Sequence, residues 1–173
     1  MVLVAMGPDE MVEQELVVSA LVGRCLTGVT YFSLNLEIWK PNWDHPGGDS
    51  VDFGVDLDFD GFPFSVGWMT PKQDAEGLRI ALDSLLSWRD LDSNRVDVGD
   101  SSRWSPILGT RLSAVRLDWR RWSPSSSSSY LVGVHLGFAD EQKVTLALAE
   151  VADGETVRSA TNVAVIFDDA AVP

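Results

Sequence analysis

The sequence predicts a mainly β protein: a β-sandwich or strongly curved antiparallel sheet built from two related halves, with one short N-terminal helix. Three observations predict it. Apolar and polar residues alternate on both sides of Asp60-Gly61, a similar alternation runs from Tyr130 to Val151, and three short blocks recur in the same order in the two halves of the chain.

The helix comes first. From Pro8 to Val22, Asp9 is placed to cap, and Met11, Leu16, Ala20 and Leu21 approximate one apolar face. Long strands are expected from about Arg24 to Trp39 and from about Arg111 to Trp122. Between the first of these and the next hairpin, Pro41 to Ser50 is rich in Pro, Gly, Asn and Asp and reads as a surface loop.

Val51 to Met69 carries the strongest local pattern. Asp60-Gly61 suits a two-residue type I′ turn, in which both central residues need positive φ. That turn pairs Phe59 with Phe62, Leu57 with Phe64, Val55 with Val66 and Phe53 with Trp68, so one face is apolar. The other face carries Asp52, Asp56 and Asp58 beside Pro63, Ser65 and Gly67. A register slip of one residue would expose the apolar ladder and bury the carboxylates, so the register should be tightly specified.

In the second half, Val132, Val134, Leu136 and Phe138 face Val144, Leu146 and Leu148 across an Ala139 to Lys143 loop, with His135, Gly137, Thr145 and Ala147 on the other face. Leu78, Ile80 and Leu82 alternate as in a strand, although Asp74 to Trp88 also fits a helix, and a last strand is expected at Asn162 to Phe167. Ser123 to Ser129, with Pro124 and a run of serines, has nothing to bury and reads as a mobile loop.

The repeated blocks are Leu21 to Val29 against Ile107 to Val115, Gly54 to Phe59 against Gly133 to Phe138, and Asp74 to Ala81 against Asp153 to Ala160. They divide a single domain, residues 1–173, into halves of about 9–90 and 100–170. Length and composition, 45% hydrophobic and 23% charged in 173 residues, suit one domain with a core of its own.

Charge narrows the function classes. Thirteen Lys and Arg against 26 Asp and Glu leave a net charge of -13, which argues against nucleic-acid binding. Residues 1–100 hold 18 acids and 6 bases (6 - 18 = -12), whereas residues 101–173 hold 8 acids and 7 bases (7 - 8 = -1). The acid therefore lies in the first half. No apolar run approaches the roughly 20 residues of a membrane helix, and Met1 to Glu15 lacks the features of a secretory signal, so a soluble, cytoplasmic protein is expected. Cys25, the single cysteine, excludes an internal disulfide and reads as a small buried hydrophobe.

Motifs for chemistry are weak. Asp56-Leu-Asp-Phe-Asp60-Gly61 imitates the start of a calcium loop, but the position of the bidentate acid is Gly67, and Leu57 and Phe59 belong to the apolar ladder. Asp44-His45 could orient a nucleophile, yet no nucleophile elbow accompanies it; His135 reads as a solvent-facing strand residue. No phosphate-cradling glycine loop is present, and no cofactor or metal is expected. Among the tryptophans, Trp68 and Trp119 suit a core face, whereas Trp39, Trp43, Trp104 and Trp122 lie near loops or strand ends.

These readings favour a non-enzymatic, acidic interaction protein whose Asp52, Asp56 and Asp58 face meets a basic partner protein. An immunity or inhibitor protein for a toxic enzyme fits that description. Arg120, Arg121 and Trp122 beside the serine loop form a second candidate contact patch. The alternatives are a small-ligand-binding or hydrolytic β domain with a pocket between the halves, and a homodimer formed through an exposed sheet edge.

Overall fold

The computed structural model describes residues 8–33, 42–45, 47–69, 77–83, 94–121, 123–152, 155–157 and 162–168. The chain begins with a helix, α1 (Pro8–Ser19), followed by β1 (Leu26–Ser33), β2 (Asn42–His45), β3 (Gly48–Val51), β4 (Gly54–Phe59), β5 (Phe62–Met69) and β6 (Gly77–Ala81). It continues through β7 (Asn94–Asp97), β8 (Leu112–Arg121), β9 (Ser129–Phe138), β10 (Lys143–Leu148), β11 (Glu150–Ala152), β12 (Glu155–Val157) and β13 (Val163–Asp168).

One antiparallel sheet runs in the order β2-β3-β13-β10-β9-β6-β5-β4-β1-β7, and β8 lies along β9 off this path. The joint between its two parts is narrow, since β6 meets β9 only through Leu78 opposite Leu131. The sheet also curls until β8 and β1 touch at an isolated bridge between Cys25 and Arg111. A half-barrel results, its inner face filled by one cluster that includes Val29, Leu57, Phe59, Phe64, Leu136, Leu146 and Val165. Each such fully buried side chain contributes roughly 1.5–3 kcal/mol.

The β4–β5 hairpin has the register its sequence demands. Asp60 and Gly61 both adopt positive φ, at 53° and 82°. Phe59 pairs with Phe62, Leu57 with Phe64 and Val55 with Val66. Phe53 and Trp68 meet edge to face with ring centroids 6.5 Å apart. Strand β6 shows that Leu78 to Ala81 alternates as a strand and not as a helix, paired with both β5 and β9.

The crossing at Cys25 and Arg111 is held by reciprocal hydrogen bonds. Leu26 N–H donates to Thr110 O at 3.0 Å and Leu112 N–H to Arg24 O at 2.8 Å; Gly23 N–H donates to Leu112 O at 2.8 Å and Gly109 N–H to Leu26 O at 2.7 Å. Gly23 and Gly109 both require the left-handed region, with φ of 93° and 79°.

Several sequence expectations need correction. Pro41 to Ser50 does not form a loop throughout, because it supplies β2 and β3, and β3 is buried against β13. The apolar face of α1 is not the expected one: Val18 is buried whereas Leu16 is 67% exposed, because the helix docks through its last turn. In β9 a register shift between Asp118 and Trp119 of β8 makes Leu131 the buried residue and leaves Val132 half-buried. Trp104 does lie among turns, residues 102–109, as its surroundings suggest, and its side chain is fully buried in the core. Cys25 is only half-buried because it sits at the crossing bridge. Trp39 and Trp122 lie outside the described residues, as do the side chains of Trp43 and His45.

Candidate functional site

The outer face of the first half is built by the same alternation that fills the core. Leu57 and Phe59 point inward and are fully buried, so Asp56 and Asp58 must point outward, and both are half-buried there. Asp56 lies between Thr30 of β1 and Ser65 of β5, and Asp58 between Gly28 and Pro63. Asp52 is half-buried in the bend before β4.

Hydroxyl and amide donors orient these carboxylates. Ser65 Oγ donates to Asp56 Oδ1 at 2.6 Å, Thr27 Oγ1 to Asp58 Oδ1 at 2.7 Å, and Gly61 N–H to the same Asp58 oxygen at 2.7 Å. Ser33 Oγ donates to Asp52 Oδ2 at 3.1 Å, and Trp68 Nε1 to the Asp52 backbone carbonyl. Asp60, at the turn, accepts from Cys25 N–H at 2.8 Å. Such donors fix the carboxylate oxygens in place. Among the described residues no cluster of His, Cys, Asp or Glu is arranged to hold a metal.

Arg120 and Arg121 are not part of this face. Both are exposed at the far end of β8, opposite Tyr130 and Ser129. They lie nine and ten residues beyond the crossing at Arg111, roughly 30 Å along the strand. The third residue of that patch, Trp122, is outside the described residues.

The outer face of the second half has a different chemistry. His135 stands between Arg116 and Thr145, and its Nδ1 is 3.0 Å from Thr145 Oγ1. Partial burial lowers the His135 pKa from its ordinary 6.5, and Arg116 lowers it further, whereas Asp118 and Asp168 act in the opposite direction. An open groove of about 690 Å³ lies nearby, lined in part by Ser113, Gly137, Glu141, Lys143 and Asp168. It belongs to the second half alone and does not include His135 among its lining residues, unlike the pocket between halves expected of a hydrolytic domain.

The sequence reading missed a buried polar cluster that ties the two ends of the sheet together. Tyr31 of β1 donates through its hydroxyl to Asp49 Oδ2 of β3 at 2.8 Å and accepts from Trp104 Nε1 at 2.7 Å. Arg103 lies 3.8 Å from the other Asp49 oxygen, and Trp104 meets Phe167 edge to face at 5.0 Å. Tyr31 and Asp49 are 1% and 4% exposed. Burial, then the Asp49 charge, raises the Tyr31 pKa well above 10. A tyrosine, an aspartate and a tryptophan separated by many residues carry no local pattern, so only the curl of the sheet reveals their meeting. The cluster is enclosed by core residues and reads as a clamp.

No protein-family model, curated protein or solved structure matches this chain.

Proposed function

We propose that this is a non-enzymatic interaction protein whose outer β1–β4–β5 face binds a basic partner protein, in the manner of an immunity or inhibitor protein. The observation that carries the reading is the set of oriented carboxylates, Asp52, Asp56 and Asp58, each held by a hydroxyl donor on a face backed by fully buried Leu57 and Phe59. Rigid, negative and half-exposed groups speed the capture of a cationic surface through long-range attraction. A first half carrying -12 of the total -13 supports the same polarity.

The two halves read as copies of one four-strand unit, β1-β4-β5-β6 and β8-β9-β10-β13. Support comes from matched registers: Leu26 opposite Phe59 corresponds to Leu112 opposite Phe138, Val29 opposite Leu57 to Val115 opposite Leu136, and both pairs of strands carry a bulge after the first residue. The reciprocal bonds at the crossing relate the same positions. The third sequence block does not fit, since β6 pairs β5 whereas β12 pairs only β11; β13 holds the position corresponding to β6. On this reading the carboxylates distinguish one copy from the other, Asp56 and Asp58 standing where the second copy has His135 and Gly137.

Titration with a labelled oligolysine probe at low and high salt tests the function. Binding should weaken with salt and weaken again when Asp52, Asp56 and Asp58 are changed to Asn, while Asp140→Asn with Glu141→Gln leaves it unaltered. Salt-independent binding, or equal loss in both variants, overturns the reading.

A further inference from the structure

The outer edges of β1 and β8 hold corresponding places in the two halves but differ in what covers them. On β1, β7 pairs with Thr30 to Ser33, and Val29 C=O accepts from Val98 N–H at 3.0 Å. Strand β8 pairs β9 from Leu112 to Arg121 and meets β1 only where Arg111 bridges Cys25. Beyond that bridge α1 lies close to β8, and no strand among the described residues pairs the outer edge.

The peptide groups on that edge can be identified. Leu112 uses its N–H and C=O on the outer side, toward Arg24 and Gly23. Val115 corresponds to Val29, whose carbonyl faces β7, so strand alternation turns the peptide groups of Val115, Leu117 and Trp119 outward. A row that no described strand pairs can accept an added strand.

The side chains beside the row select its chemistry. Arg116, Arg120 and Arg121 are exposed along β8 with a single acid, Asp118, between them. This is a basic stripe on a chain of net charge -13. Pairing β8 with a second β8 would bring two arginine-rich strands together, which disfavours a symmetric dimer. Strand β7 indicates the preferred pattern, with Asp97 opposite Thr30 and Val96 opposite Tyr31. The same pattern on β8 sets an acid opposite Arg116 and an apolar residue opposite Leu117.

We propose that the edge of β8 from Val115 to Arg121 docks an extended acidic segment of a partner protein as an added antiparallel strand, with carboxylates opposite Arg116 and Arg120. The positional argument rests on the correspondence of the halves proposed above; the surface and the charge of its ligand are separate from those of the aspartate face.

A labelled peptide of alternating glutamate and valine is a suitable probe, read by fluorescence anisotropy with the intact protein. Two controls accompany it: the same peptide with lysine in place of glutamate, and one N-methylated at alternate backbone amides. The acidic peptide should bind, the lysine peptide should not, and N-methylation should abolish binding by removing the ladder donors. Arg116→Glu with Arg120→Glu, both at exposed positions, should weaken binding about tenfold. Asp52→Asn, Asp56→Asn and Asp58→Asn together should leave it unchanged, which separates this site from the aspartate face. Equal binding of the lysine or N-methylated peptide overturns the proposal, as does a β8-mediated dimer that the acidic peptide fails to dissociate.

Discussion

Tyr31→Phe isolates the buried clamp, because it removes one oxygen and leaves the ring in place. The hydroxyl donates to Asp49 at 2.8 Å and accepts from Trp104 Nε1 at 2.7 Å. A hydrogen bond to a charged group contributes roughly 1.5–3 kcal/mol, and leaving the Trp104 N–H buried without that partner costs a further 1–3 kcal/mol or so. Asp49 retains Arg103 at 3.8 Å, which offsets part of its loss. We expect a net destabilisation of about 3 kcal/mol, a considerable share of the roughly 5–15 kcal/mol that stabilises a domain. Urea unfolding should show a lower midpoint with an unchanged slope, and the melting temperature should fall by about 6–12 °C. A loss below about 1 kcal/mol would refute the reasoning, since it would mean that the Tyr31 hydroxyl is hydrated or unbonded. The clamp also has a pH signature. The folded pKa of Tyr31 is raised above its ordinary 10.0, so its contribution is fully present below that pH and is lost as pH rises toward the folded value. In an alkaline absorbance titration of the folded protein, the phenolate signal that Tyr31→Phe removes should appear only above pH 10.

Other substitutions test separate parts of the account. Gly61→Ala places a side chain at φ 82° with open space around it, so only backbone strain acts, and unfolding should show a loss of about 1 kcal/mol. Gly48→Ala adds a clash with the Val165 backbone carbonyl to strain at φ +149°, so it should destabilise more than Gly61→Ala, by about 2 kcal/mol, and loosen β3 from β13 in hydrogen exchange. Leu57→Ala should cost about 2–5 kcal/mol, read by urea unfolding. For His135, an NMR titration should place the midpoint below 6.5. Arg116→Ala should raise it and Asp118→Asn lower it; because the folded pKa is depressed, the associated stability is present above 6.5 and is lost as pH falls through the folded midpoint.

The parts of the fold that were legible in the sequence are those governed by neighbours in the chain. Asp60-Gly61 specifies a turn through two positive φ values, and the turn then specifies every partner along β4 and β5. Strand β3 shows the opposite case. Gly48, Asp49 and Ser50 resemble loop residues, yet they are buried because they pair between β2 and β13 and because Tyr31, distant in sequence, supplies a donor to Asp49. The expected alternation in β9 holds at Val134, Leu136 and Phe138 and fails at Val132, the extra residue between the partners of Asp118 and Trp119. The aspartate face was legible for the same local reason as the hairpin. That no described strand pairs the outer edge of β8 was not, since it depends on which strands reach it, and no stretch of sequence records that.

Mapping backbone amide shifts by NMR during an oligolysine titration tests the central claim most directly. The account predicts that the first amides to move are those of Asp52, Asp56, Asp58 and their partners Thr27, Ser33 and Ser65, and that added salt reverses the change. Shifts spread evenly over the acids of α1 and of residues 140–150 would instead show that net charge alone attracts the probe, and would contradict a defined binding face.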